Sequence, residues 1–326
     1  MLKKNTIAVV IPCFKVKDKI SDVVKTIPDF VDFIYVVDDA CPDGSGLFVL
    51  GNSKDKRIKL IKHTSNLGVG AAVISGYKAA IKDKAHIIIK MDGDGQMNPS
   101  LIQPLIDPII NGEADYTKGN RFYDLELVKR MPIIRLIGNS ILSFMTKLSS
   151  GYWHIFDPTN GYTAINSNLI RILPLQKISR RYFFETDMLF RLNISRAVVQ
   201  DIPMLAIYED EVSNLSIIKI IPEFAYKHFR NIFKRIFYSY YLRGMSIASL
   251  ELPLGLLLMI FGISYGFDRW HLYDSIGLNT PAGIVMLSAL PILSGLQLLL
   301  NFLNYDFIST PSKPISKNFK NYKKYN

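Results

Sequence analysis

Ile87-Ile88-Ile89-Lys90-Met91-Asp92-Gly93-Asp94-Gly95-Gln96 is the stretch whose reading decides the fold. A short, β-branched apolar run bounded by turn residues reads as a buried strand. Asp92 and Asp94 fall just past its C-terminal end, where open α/β sheets place their ligands. Two carboxylates and the amide oxygen of Gln96 are hard oxygen donors, suited to Mg²⁺ or Mn²⁺ held together with substrate phosphates. Asp92, Asp94 and Gln96 are therefore the candidate metal ligands. A calcium loop of the EF-hand type would need Gly at 97 and Glu at 103, where this chain has Met97 and Gln103.

Outward from this strand, segments of strand and helix character alternate. Strand-like runs are Thr6–Ile11, Phe33–Val37, Ile58–Ile61, His86–Met91 and Asp115–Lys118. Helical spacing occupies Asp18–Thr26, Val69–Lys82 and Leu101–Ile110, the last entered through Asn98-Pro99. Such alternation predicts an α/β fold with a mostly parallel, helix-covered sheet.

The C-terminal third has a different composition. Gly244–Phe267 is almost wholly apolar, with Glu251 its only charge, and Pro281–Leu303 carries no charge. Each is long enough to cross a hydrocarbon core of about 30 Å as a helix. A transmembrane hairpin is expected, with spans at 244–267 and 281–303 and a short linker bearing Trp270 and Tyr273. Neither run lies where a signal peptide would, and the N-terminus shows no targeting pattern. Basic residues precede the first span (Lys227, Arg230, Lys234, Arg235, Arg243) and follow the second (Lys313, Lys317, Lys320, Lys323, Lys324). The positive-inside rule then puts both termini and the N-terminal domain in the cytoplasm, as expected for a multi-pass protein of the plasma (inner) membrane.

Residues 219–326 hold 12 Lys and Arg against 5 Asp and Glu, leaving only +4 of the net +11 for residues 1–218. The basic surplus is a membrane-surface feature, and no nucleic-acid partner is expected. The only cysteines, Cys13 and Cys41, support neither a disulfide framework nor a zinc site. Residues 125–150 and 219–243 mix apolar and basic residues at helical spacing; the first fits a membrane-surface helix and an ordinary helix packed on the sheet equally, and the second, which leads into the first span, reads as interfacial. The expected domains are 1–218 (catalytic, with the amphipathic segment 125–150), 219–243 (juxtamembrane), the two spans, and a basic tail at 304–326.

Several other motifs fall where strands should end. Ile11-Pro12-Cys13-Phe14 closes the first strand, and Val37-Asp38-Asp39-Ala40-Cys41-Pro42-Asp43-Gly44-Ser45 closes the second. Asn66-Leu67-Gly68-Val69-Gly70 enters the Ala-rich helix with a tight turn whose N-terminus suits an anion. No G-x-G-x-x-G follows the first strand and no G-x-x-x-x-G-K-[ST] occurs, which excludes Rossmann and P-loop readings. A nucleotidyltransferase would need a Gly-rich, basic N-terminal loop, which Pro12-Cys13-Phe14-Lys15 does not supply.

With Lys118-Gly119-Asn120-Arg121-Phe122 and Asp157-Pro158-Thr159-Asn160-Gly161-Tyr162, these motifs stand in an order that resembles family-2 glycosyltransferases. Within them the chain is similar to the dolichyl- and polyprenyl-phosphate sugar synthases, over about residues 6–215. The resemblance implies a nucleotide-diphospho-sugar domain of the glycosyltransferase A type. It implies nucleotide-sugar binding by Pro12, Asp38, Asp39, Asn66, Gly70 and Asp92, and a metal–diphosphate site at Asp92, Asp94 and Gln96. Arg121, Arg135, Asn139 and Ser213 would meet phosphates or acceptor, and Asp157 would be a general base or an acceptor-orienting group. Asp94 and Asp157 are thus the catalytic candidates. Glu185 and Asp187 form a second acidic pair at the start of a further helix, where carboxylates either serve the site or only complement the helix dipole.

The expected reaction moves one sugar from a UDP- or GDP-sugar to a polyprenyl phosphate at the cytoplasmic leaflet, metal-dependent and inverting. Transfer to a hydroxyl of a lipid-linked saccharide is the second reading, and a membrane-anchored binding or scaffold protein with a degenerate site is the third. Two departures matter. The segment 206–215 lacks the arginine and lysine that family members often carry around its serine. No Gln-x-x-Arg-Trp occurs, which favours single transfer over processive synthesis. Oligomeric state, homo-oligomer included, is left open.

Overall fold

Val9, Val10 and Ile11 are consecutive and all fully buried, so their strand is covered on both faces. The computed structural model describes residues 5–123, 133–205 and 217–317, apart from the side chains of 134–135 and 217–220. The strands are β1 (Ile7–Cys13), β2 (Phe33–Asp38), β3 (Ile58–Lys62), β4 (Ile87–Lys90), β5 (Tyr116–Asn120), β6 (Thr163–Asn166) and β7 (Val199–Pro203). They form one 7-stranded sheet in the order β3-β2-β1-β4-β6-β5-β7. Only β6 runs against its neighbours β4 and β5. The β1 register, Val10 opposite Lys90 and Cys13 opposite Asp38, brings the turns after β1, β2 and β4 to one edge.

Helices α1 (Lys17–Lys25) and α4 (Ile102–Ile110) cover one face, where Ile20, Val23, Leu105 and Ile106 pack on Val9, Ile11, Ile34 and Ile89. On the other face α3 (Val69–Lys82) sets Ala72, Val73 and Tyr77 on Ala8, Val10, Tyr35 and Ile88. Each such aliphatic or aromatic side chain contributes about 1.5–3 kcal/mol by leaving water. Helices α2 (Ser45–Asn52), α5 (Ile133–Ser150), α6 (Ser167–Ile172) and α7 (Phe184–Ile194) complete this part of the chain. The five expected strands and three expected helices are present within about two residues of the expected ends. Strands β6 and β7 are additions. Thr163-Ala164-Ile165-Asn166 and Val199-Gln200-Asp201-Ile202-Pro203 are too short and too polar to announce themselves as strands.

The chain divides into two units, residues 1–232 with 311–326, and residues 233–310. The first is larger than the expected 1–218, and it takes back the chain after the hairpin. Asp115 is fully buried, and its carboxylate accepts the backbone N–H groups of Val198 (2.8 Å), Ile315 (2.9 Å) and Ser316 (2.8 Å). The first part of the tail is thus a structural piece of the sheet domain. Helix α8 (Ile217–Phe237) begins in this unit too. His228 Nδ1 lies 2.9 Å from Ser149 Oγ, and Asn231 Nδ2 donates to Asp187 Oδ1 at 3.1 Å. Asp187, one of the acidic pair at the start of α7, is therefore a buried anchor for α8.

In the second unit α9 (Ala248–Ser275) and α10 (Ala282–Ile308) are long and apolar enough to cross a membrane. Helix α9 runs past the expected end at Phe267, because isolated charges at Asp268 and Arg269 do not stop a helix. It ends at Ser275 and is capped by Gly277, whose φ of +67° and the Leu278 N–H to Tyr273 C=O bond (3.0 Å) are the mark of a glycine C-cap. Within the hairpin a Cβ added at Gly295 would lie 2.8 Å from the Gly255 carbonyl, so the helices meet backbone to backbone. Arg235, read above as an orienting surface charge, is buried and pairs bidentately with Asp306 at 2.5 and 3.0 Å.

Candidate active site

Asp38 and Asp39 end β2 as buried carboxylates, and backbone amides claim them. Asp38 accepts the N–H of Cys41 (2.7 Å) and of Gly46 (3.2 Å). Asp39 accepts those of Leu67 (2.9 Å) and Gly68 (2.7 Å), and its Oδ1 lies 2.7 Å from His63 Nδ1. The Asp39 carboxylate thus takes the two N–H groups just ahead of α3. Ala71 N–H goes to the Arg180 carbonyl at 3.1 Å. A Cβ at Gly68 or Gly70 would stand 2.5 Å from the Arg180 or Ser179 carbonyl, which is why this turn carries glycines. Asn66 stays exposed beside it, and Pro12 lies half-buried opposite Val37.

The turn after β4 is built differently. Gln96 N–H closes it on Asp94 Oδ1 at 3.0 Å, with Gly95 at φ +81°. The Asp92 side chain keeps 30% of its surface exposed. Behind it lies Lys90, only 2% exposed, with Nζ 2.9 Å from Asp92 Oδ1 and 3.2 Å from Glu185 Oε1. Burial opposes the charge of this ammonium, but Asp92 and Glu185 outweigh burial and hold it protonated. A Cβ at Gly161 would fall 2.2 Å from Lys90 Nζ and 2.7 Å from Asp92 Oδ2. The Asp157–Tyr162 turn therefore lies directly against the carboxylate turn, and a side chain at position 161 would have to displace Lys90 and Asp92.

Arg121 and Asp157 form the third part. The guanidinium binds both carboxylate oxygens, Nε to Oδ2 at 2.7 Å and Nη2 to Oδ1 at 3.0 Å, and the Arg121 N–H adds a bond of 3.2 Å. Burial pushes the Asp157 carboxyl up, but Arg121 and Lys118 outweigh it and hold the group below the usual carboxylate range. The fully buried Lys118 donates to the Asn160 carbonyl, and burial pulls its pKa down to about 8. Asp201 accepts from Phe156 N–H (2.8 Å) and Asn120 Nδ2 (3.3 Å), and burial pushes its pKa up to about 6.

Among the described residues no cluster of three or more His, Cys, Asp or Glu is arranged to hold a metal. What the turn offers is Asp92, Asp94 and the Gln96 amide oxygen. Two carboxylates are few for an all-protein cage, and they fit a hard dication whose shell is completed by phosphate oxygens. Arg135 and Asn139 stand one turn apart on α5, the Arg135 side chain lying outside the described part. Ser213 lies outside the described residues.

Lys90, Glu185, Gly161, Lys118 and Asp201 were not foreseen as site residues. Lys90 does leave a signal, a lone cation in an apolar strand, two residues before Asp92 and so on the same face. The others are joined to the site only by the packing of the 157–162 turn and α7.

This sheet and its helices define a glycosyltransferase of the A-type fold. The solved structure of glucosyl-3-phosphoglycerate synthase from Mycobacterium tuberculosis, in complex with Mn²⁺, UDP and phosphoglyceric acid, superposes with a TM-score of 0.51. It is 16% identical, over 71% of this chain and 78% of that one. The chain belongs to glycosyl transferase family 2, whose model matches residues 8–173. Among curated relatives, the UDP-N-acetylglucosamine–dolichyl-phosphate N-acetylglucosaminyltransferase of Methanococcus voltae is 29% identical, covering 63% of this chain and 86% of that protein. The polyprenol monophosphomannose synthase of Mycolicibacterium smegmatis is 28% identical, covering 52% of this chain and 65% of that protein. The chain is a glycosyltransferase related to polyprenyl-phosphate sugar synthases.

Proposed function

We propose that this enzyme transfers one sugar from a UDP- or GDP-sugar to a polyprenyl phosphate at the cytoplasmic leaflet of the plasma membrane. The relatives' names and the two apolar helices support a lipid acceptor. The observation that carries a phosphate rather than a hydroxyl acceptor is the state of Asp157. Its carboxylate is buried, bound bidentately by Arg121 and held ionised, which makes it a poor base for a hydroxyl. A phosphate is already anionic and needs none.

In this reading an acceptor phosphate oxygen attacks the anomeric carbon as the bond to the nucleotide diphosphate breaks on the opposite face, with inversion. A divalent metal, Mg²⁺ or Mn²⁺, held by Asp92, Asp94 and Gln96, would neutralise charge on the departing diphosphate. Arg121, fixed by Asp157, presents a preorganised cation to a phosphate, and Arg135, Asn139 and Ser213 act on the same groups. Pro12 and the loops that Asp38 and Asp39 hold shape the nucleotide pocket, with Asn66 and Gly70 at its rim. Helices α9 and α10 cross the bilayer with both ends cytoplasmic, and α5 and α8 bring the acceptor to the sugar.

Membranes containing the protein are incubated with radiolabelled UDP- and GDP-sugars. Label should enter the lipid phase with undecaprenyl phosphate alone. Labelling only when a lipid-linked saccharide is supplied would overturn the phosphate reading.

A further inference from the structure

Lys90 is the least expected charge in the sheet, a buried ammonium at the C-terminal end of a central strand, directly behind the carboxylate turn. Its position is fixed from three sides. Asp92 and Glu185 hold Nζ at 2.9 and 3.2 Å, and Nζ packs into the space that a side chain at position 161 would fill. A dication bound by Asp92 must share that carboxylate with a fixed positive charge, which opposes it. The negative charges of a nucleotide diphosphate offset that opposition.

We propose that Lys90 is a positioning residue that keeps Asp92 engaged in the empty enzyme, so that divalent metal binds weakly alone and tightly together with the nucleotide. This rests on the metal site proposed above. Glu185 is the second anchor, neutralising part of the ammonium and holding it in place from α7. The device makes metal and donor arrive, and the metal and nucleoside diphosphate leave, as one unit. Gly161 extends it to the 157–162 turn, whose Asp157 holds Arg121.

Mn²⁺ binding to the detergent-purified full chain, read by electron paramagnetic resonance of free Mn²⁺, tests the proposal without reference to turnover. Wild type should bind Mn²⁺ weakly alone and at least about tenfold more tightly with UDP, a coupling in the usual range for linked sites. Lys90→Met should bind Mn²⁺ alone about tenfold more tightly than wild type, and UDP should then add correspondingly less. Lys90→Gln should move in the same direction, and it serves if the methionine variant melts early. Glu185→Gln strips the ammonium of one partner and should leave Mn²⁺ binding alone unchanged or weaker. A merely structural lysine would lose affinity in all three variants. Unchanged or weaker Mn²⁺ binding by folded Lys90→Met and Lys90→Gln overturns the proposal. Failure of wild type to bind Mn²⁺ even with UDP instead removes the metal site itself.

Discussion

Two acidic strand ends flank β1, Asp38-Asp39 after β2 and Asp92-Gly93-Asp94 after β4, and the fold treats them in opposite ways. The first pair is sealed. Its oxygens accept from amides of Cys41, Gly46, Leu67 and Gly68 and lie against His63, so it ties the turn after β2 and the start of α2 to the loop between β3 and α3. In the second, Asp92 remains partly exposed and is countered from behind by one buried lysine. The first carboxylates are bound by backbone amides, whereas Asp92 is balanced by a charge pair and keeps part of its surface open. Similar residues at equivalent ends of parallel strands are thus held differently, and the neighbouring chain decides how.

The largest effect should fall on the carboxylate turn after β4. Asp94→Asn is expected to lower sugar transfer by about 100-fold or more, the usual cost of removing one group that stabilises developing charge. Thermal melting should barely move. A large drop in melting temperature with turnover retained would erase the contrast between the two ends. The sealed pair should answer in the reverse sense. Asp39→Asn turns an amide N–H₂ toward existing donors and should cost about 1–3 kcal/mol of stability, measured by chemical denaturation of the full chain. Any fall in transfer should follow the loss of folded protein.

Asp201 sharpens the comparison, because it is half-buried and less fully satisfied. Its Oδ1 has no hydrogen-bond partner among the described residues. With a native pKa raised to about 6 from 3.8, the folded state binds the extra proton between those values. Stability from this group is therefore present at low pH and lost as pH rises through about 6. Asp201→Asn should flatten that slope and gain on the order of 1 kcal/mol at pH 7.5, the smallest of the three effects. An unchanged profile of melting temperature against pH would show that Asp201 is as well satisfied as Asp39.

Much of the first 120 residues was legible because apolar runs bounded by Pro, Asp and Gly leave few choices of element. The carboxylate turn was legible for the same reason, since Asp92 and Asp94 follow directly on Ile-Ile-Ile-Lys-Met. Antiparallel β6 was not, because four mixed residues carry no period. Nor was the return of Ile315 and Ser316 to Asp115, a contact across 200 and 201 residues that leaves no local pattern. The base reading of Asp157 came from motif position alone, and the Arg121 pairing that bears on it is a long-range contact. Arg235 looked like one more surface cation until its partner Asp306 was placed beside it.

By itself the sequence determined the α/β alternation, the two apolar helices and the carboxylates at the strand ends, because these depend on hydrophobic period and short-range turn chemistry. Tertiary structure alone decided which carboxylates are sealed and which is open. That outcome depends on what the rest of the chain brings within about 3 Å of each oxygen. Lys90 behind Asp92, Glu185 from a helix nearly a hundred residues away, and the absent side chain of Gly161 are contacts no local pattern encodes.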